Sequence, residues 1–227
     1  MKKTISLTLV IALLCAMLAA CGAQPSEPSV DPSAAPPTQT AVTLADWAGT
    51  WNAPASILGE DWMQSAWDDG AATISEQVGK TVTADDVRGI FEQMLFTGFG
   101  SCAIDGDTMT IYPESDLGGE AAKITFTYAE KFGMGEEDDE QTYWYGFTSS
   151  TPGYEYLIAL PVEQDMPETM EHFHFRYGSD GFDALLSEEI GMWYATVGRQ
   201  STTQEQYSAS MTLVISELPW EMIFGGE

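Results

Sequence analysis

The only two histidines of the 227-residue chain, His172 and His174, flank Phe173 within the stretch EQDMPETMEHFHFRY at residues 163–177. On an extended strand, residues two apart point to the same face, with Cα atoms roughly 6.6 Å apart at about 3.3 Å per residue. Both imidazoles can therefore reach one ion. Upstream, residues 154–162 read as a second strand, and residues 164–169 carry the turn-forming types between the two. Folding the pair as a hairpin places Glu163 roughly opposite the histidines. A carboxylate converging with two imidazoles is a ligand set for Zn(II) or another divalent transition metal, with one coordination position left open. The same spacing also suits two partly buried, hydrogen-bonded imidazoles that hold no metal.

A cupin-type metal strand would need a glycine six residues before His172 and a glutamate four or five after His174. Met166, Gly178 and Ser179 occupy those places, so that pattern fails. Pro167, then Glu171-His172-Phe173-His174-Phe175, then Ala184-Leu185-Leu186 and Trp193, resembles the ZinT family of extracytoplasmic zinc-binding proteins. The segments Leu44-Ala45-Asp46-Trp47-Ala48-Gly49-Thr50-Trp51 and Thr83-Ala84-Asp85-Asp86-Val87-Arg88 resemble that family too, and the likeness spans roughly residues 44–195. It implies a calycin or lipocalin-like barrel, a bound zinc ion, and a metal-uptake ABC transporter binding protein as partner. Three features depart from the family. Glu163 stands where the family carries a third histidine, nine residues before the pair; the His-rich segment of some members is absent; and Trp193 is followed by Tyr194 rather than proline.

An export signal is expected at the start of the chain. Met1-Lys2-Lys3 and the apolar run from Ile5 to Ala20 have the charged beginning and hydrophobic centre of a signal peptide. It ends Leu18-Ala19-Ala20-Cys21, the pattern of a lipoprotein signal. Residues 1–20 are expected to be removed and Cys21 to carry the lipid, anchoring an extracytoplasmic protein to the cell membrane. The apolar run is shorter than the ~20 residues a spanning helix requires. Residues 21–43, rich in Pro, Ala, Ser, Gln and Thr with no apolar period, are expected to form a disordered tether.

Residues 44–227 suffice for one domain with a substantial core. Cys15 leaves with the signal and Cys21 takes the lipid, so Cys102 has no partner and is expected to be a buried structural thiol. Seven Trp, nine Tyr and ten Phe supply the apolar area instead of disulfides. The fold expected is mainly β, a calycin/lipocalin-like barrel with a few flanking α-helices. Gly49-Thr50-Trp51 resembles the first strand of such barrels. Two amphipathic helices follow, the second capped by Thr83 and carrying Val87, Ile90, Phe91, Met94 and Leu95 on one stripe. Strands are expected at 101–104, 109–112, 123–128, 142–147, 154–162 and 170–177, with Asp105-Gly106-Asp107 as a hairpin turn. Asp180 is expected to cap a helix running through Phe182, Leu185, Leu186 and Ile190. Beyond Gly198 the pattern is ambiguous, and residues 211–215 suit a strand or a helix equally.

Eight basic residues against 35 acidic ones give a net charge of −27, which excludes nucleic acid and anionic headgroups as partners. The run Glu136-Glu137-Asp138-Asp139-Glu140 lacks the spaced ligands and glycine of a calcium loop and reads as a solvated loop. There is no Gly-x-Ser-x-Gly elbow, P-loop or dinucleotide fingerprint, and no general base spaced against the histidines as in HExxH. The chain is expected not to be an enzyme. Its leading function is capture of zinc at His172, His174 and Glu163 and supply to an uptake system; the alternatives are a barrel holding a small apolar ligand with the histidines merely hydrogen-bonded inside, and a surface interaction module.

Overall fold

A computed structural model describes residues 42–133 and 143–225. Residues 1–41, with Cys21, and the acidic run 136–140 lie outside the described residues. Among the described residues no helix is long and apolar enough to cross a membrane.

Among the described residues nine antiparallel strands form one sheet: β1 (Gly49–Asn52), β2 (Ser101–Asp105), β3 (Thr108–Tyr112), β4 (Ala122–Thr125), β5 (Thr127–Gly133), β6 (Tyr143–Thr148), β7 (Tyr156–Ala159), β8 (His172–Gly178) and β9 (Ala195–Arg199). Their order is β4-β3-β2-β1-β9-β8-β7-β6-β5. β4 and β5 thus stand at opposite edges, roughly 38 Å apart in a flat sheet with strands about 4.8 Å apart. Yet only Phe126 separates them in sequence. The sheet must curl until its edges meet, giving the nearly closed barrel that the residue pattern predicted.

Alternate residues of every strand point inward. Trp51, Cys102, Ile104, Ile124, Phe147, Leu157, Phe173, Phe175 and Val197 form a single buried cluster. Trp51 meets Phe173 edge-on at 4.9 Å between ring centroids, and Phe99 stacks on Phe175 at 5.9 Å. The interior is therefore packed with aromatic side chains. Cys102 is fully buried and free, and burial pushes its thiol pKa up, so it is an inert core residue.

A second core lies among the helices α1 (Gln64–Val78), α2 (Ala84–Met94), α4 (Gln204–Glu217) and α5 (Trp220–Phe224). α2 begins as its sequence predicts: Asp86 N–H donates to Thr83 Oγ1 at 3.2 Å while the Asp86 carboxylate accepts from Thr83 N–H at 2.8 Å. Val87, Phe91 and Met94 are its buried stripe. This core meets the strands at Met170 and Tyr194.

Three expectations need correction. The strand expected at 123–128 is two strands, because Phe126 turns the chain at the barrel corner, its ring buried and its N–H bonded to the Asp107 carbonyl at 2.8 Å. The helix expected from Asp180 to Ile190 is only α3 (Phe182–Leu185) followed by a 3-10 turn at Glu188–Ile190. Gly181, at φ 93°, precedes α3 instead of Asp180, and the Leu185 carbonyl that would propagate it accepts from Arg176 Nη1 at 2.8 Å. Third, the strand at 154–162 is ordered as strand only over β7.

Candidate metal centre

The site is built by a fault in the β7–β8 ladder. Pairing runs from Tyr156↔Gly178 to Ala159↔Phe175, and Leu160 N–H extends it by donating to the His174 carbonyl at 2.8 Å. Continued unbroken, this register would set Val162 against His172. Instead Glu163 pairs with His172 through reciprocal backbone bonds of 2.8 Å each. Pro161 and Val162 thus stand together against Phe173, a one-residue bulge. Pro161 suits it because proline has no N–H to give the ladder. Opposed residues share a face, so the bulge turns Glu163 toward the histidines and leaves Val162 packed against the barrel core. Trp47 holds the strand just before the bulge, its indole N–H donating to the Leu160 carbonyl at 2.6 Å.

Three donor atoms converge there. Glu163 Oε1 lies 3.8 Å from His172 Nε2 and 3.9 Å from His174 Nε2, and one ligand atom from each residue lies within 4.8 Å of the others. A tetrahedral zinc with bonds of about 2.0–2.1 Å separates neighbouring ligand atoms by roughly 3.3 Å, so the Glu163 oxygen needs to approach each histidine nitrogen by about half an ångström to share an ion. The side chains of His172 and His174 are 6% and 22% exposed, whereas that of Glu163 is 47% exposed. Two donors are fixed in the wall and one stands at the surface.

The other ring nitrogens fix the tautomers. His172 Nδ1 lies 3.1 Å from the Met170 carbonyl, which can only accept, so Nδ1 carries the proton. Thr196 Oγ1 donates its proton to the Tyr194 carbonyl at 2.6 Å and must accept from His174 Nδ1 at 2.8 Å. Both Nε2 lone pairs are left facing Glu163, the arrangement that outer partners impose on metal-ligating histidines. Burial lowers the His174 pKa to about 3, with His172 and Arg176 adding to the effect and a Tyr194 backbone hydrogen bond opposing it. The imidazole therefore stays neutral, its ligating form. The Glu163 pKa is raised, chiefly by burial and further by Asp165, against the opposing pull of His172.

No family model and no curated protein sequence matches the chain. Among solved structures it is similar to the Zn(II)-bound ZinT-like domain of Streptococcus pneumoniae AdcA, with a TM-score of 0.54 and 18% identity over 75% of this chain and 90% of that one. It is also similar to whole Zn(II)-bound AdcA from the same organism, with a TM-score of 0.53 and 18% identity over 83% of this chain. The fold is that of a ZinT-like domain. Of the longer AdcA the chain spans 41%, about two fifths of its length.

Within this ZinT-like barrel, His172, His174 and Glu163 come together on the outer wall and not in the interior. Glu171, one residue before His172, faces the other way. Its carboxylate takes Arg199 Nε and Nη2 at 2.9 and 3.0 Å, and the Arg199 guanidinium lies 3.8 Å from the Trp51 ring centroid. Thr196, Tyr194 and Arg176 escaped sequence reasoning. Thr196 sits on β9, a strand the pattern did not disclose. Arg176 continues the alternation His172, His174, Arg176 along one face, which was a usable signal. Its buried guanidinium donates to the carbonyls of Trp193, Leu185 and Gly191 and lies over the rings of Tyr194 and Trp144, at 4.8 and 5.4 Å.

Proposed function

We propose that this chain captures Zn(II) at Glu163, His172 and His174 and, held to the outer surface of the cell membrane by a lipid on Cys21, supplies it to a metal-uptake system. The observation that carries the reading is the convergence of two tautomer-locked Nε2 atoms with one carboxylate oxygen. Similarity to Zn(II)-bound structures supports the choice of metal, and similarity to a ZinT-like domain within AdcA supports a link to metal uptake. The zinc is cargo on this reading and not a resident cofactor. Two buried donors with one exposed donor suit an ion that must arrive and leave.

Binding without catalysis is part of the same proposal. The two imidazole protons are both committed to Met170 and Thr196, and the Glu163 carboxylate is needed as a ligand, so none of the three converging residues is free to act as a base on a bound water. The apolar-ligand alternative fits less well, because the barrel interior is packed with aromatic side chains and the histidines point away from it.

The test is metal analysis of the purified protein after zinc loading, beside His172→Ala and His174→Ala variants. One tightly held zinc per chain, lost in both variants, is expected. A substoichiometric content in the folded parent refutes the reading. Cys21→Ser should release the protein from membranes or leave its leader uncleaved. If that variant stays membrane-bound with the same cleaved terminus, the anchor is wrong.

A further inference from the structure

We propose that Ser210, on helix α4, is a positioning residue for the metal site, acting on His172 through the Met170 backbone. The inference rests on the zinc-binding reading but has a readout that needs no metal.

Three hydrogen bonds carry it. His172 Nδ1 donates to the Met170 carbonyl at 3.1 Å. The N–H of the same residue, Met170, donates to Ser210 Oγ at 2.9 Å, and Ser210 is 2% exposed. Ser210 Oγ in turn donates to the Gln206 carbonyl at 2.9 Å, one turn back on α4. A hydroxyl whose single proton is committed to that carbonyl presents only lone pairs to Met170 N–H, so the orientation of the bond is fixed. The Met170 N–H and carbonyl belong to successive peptide groups joined at its Cα, so Ser210 acts on the acceptor of His172 by fixing the position of the Met170 backbone, not by polarisation along the series of bonds. Met170 is itself buried, and no water is needed to complete the series. α4 holds the Thr169–Met170 peptide group, and the Met170 carbonyl that receives the His172 ring extends from the Cα so placed. A second contact from α4, Gln206 Nε2 to the Thr169 carbonyl at 3.4 Å, supports the same segment. Ser210 therefore does for His172, at one remove, what Thr196 does directly for His174.

Ser210→Ala deletes the acceptor and leaves Met170 N–H buried and unpartnered. A matched control exists elsewhere in the fold. Ser75 on α1, half-buried, has a similar local arrangement, accepting from Val82 N–H at 2.9 Å and donating to the Ala71 carbonyl one turn back at 2.7 Å, with the Val82 carbonyl as a second acceptor at 3.2 Å and no link to the histidines. Both alanine variants should lose comparable thermal stability. In the metal-free protein, long-range proton–nitrogen spectra should show His172 protonated at Nδ1 in the parent and in Ser75→Ala, but a mixture of tautomers in Ser210→Ala. Zinc affinity, measured by competition with a chromophoric chelator, should fall about tenfold in Ser210→Ala alone, at the lower end of outer-partner effects. Ser210→Thr, which keeps the hydroxyl, should restore the tautomer. An unchanged His172 tautomer in folded Ser210→Ala overturns the inference, as does an equal loss of affinity in Ser75→Ala. Failure of the parent to bind zinc while the tautomer responds as expected would sink the function and leave the positioning role standing.

Discussion

Replacing Glu163 by alanine removes the one exposed donor and leaves the two buried ones in place. Its oxygen stands 3.8 and 3.9 Å from the two Nε2 atoms, so no rotation of a neighbouring acid is needed to supply the third ligand in the parent. Even outer-partner losses cost 10–100-fold in metal affinity, which sets a floor of about tenfold for a direct ligand, or about 1.4 kcal/mol. Water can occupy the gap because the carboxylate is half exposed, which keeps the loss toward that floor instead of far above it. Glu171→Ala and Glu168→Ala are the controls. Glu171 faces the barrel side and pairs with Arg199, so its loss should cost stability, about 0.5–1 kcal/mol for a partly exposed pair, and leave zinc affinity within twofold. Glu163→His, which supplies a third imidazole, should bind zinc at least as tightly as the parent. The assay is chelator competition at constant pH, with thermal unfolding of each metal-free variant alongside. Parent-like affinity in a folded Glu163→Ala protein, with His172→Ala inactive, would refute the carboxylate ligand and leave only the two histidines.

Thr196→Val keeps the shape of the side chain and removes the acceptor for His174 Nδ1; zinc affinity should drop 10–100-fold with little change in circular dichroism. The depressed His174 pKa, about 3 against an ordinary 6.5, means the unfolded chain takes up a proton in that window and the folded chain does not. Its contribution to stability is therefore whole above about pH 6.5 and lost progressively as pH falls toward 3, so the pH dependence of the melting temperature of metal-free protein should flatten in His174→Gln. A His174 imidazole that charges near pH 6.5 in the folded protein contradicts this. Exchanging neighbours in the combined variant Val162→Glu, Glu163→Val should bind zinc no better than Glu163→Ala, because the bulge aims residue 162 at the barrel core. Parent-like zinc binding by that variant would show that the register is unbroken.

The site was legible in the sequence to the extent that it follows from alternation. His172 and His174 share a face because strand residues do, and Glu171 does not. The bulge was less visible, yet Pro161 marks it, since a residue without an N–H seldom continues a ladder. β9 was hidden by Gly198, which reads locally as a turn. In the fold that glycine permits close packing: an added Cβ would lie 3.1 Å from Met170 Sδ and 3.3 Å from the Tyr207 hydroxyl. α4 was hidden by its composition, since Met211-Thr212-Leu213-Val214-Ile215 satisfies strand and helix patterns alike. The decisive signal lay just upstream, where Thr203 and Gln206 form a capping box, with Thr203 N–H bonded to Gln206 Oε1 at 3.0 Å and Gln206 N–H to Thr203 Oγ1 at 3.3 Å.

The supports of the three donors come from distant parts of the chain, and that distribution bears on how an ion would be handled. Trp47 steadies the strand before Glu163, Thr196 holds His174, and α4 reaches His172 through Met170. The imidazoles are locked by directed bonds in a barrel wall backed by packed aromatic rings. Glu163 has no such lock among its side-chain hydrogen bonds in the described residues, and it is the donor most open to water. On the proposed function, exchange should therefore begin at Glu163, the histidines retaining the ion until a competing ligand takes the coordination position that the carboxylate vacates. A carboxylate with a raised pKa suits that step, because protonation releases it from the ion without disturbing either ring. On that reading Glu163 is the donor that lets go first, while the wall that presents the two histidines stays as it is.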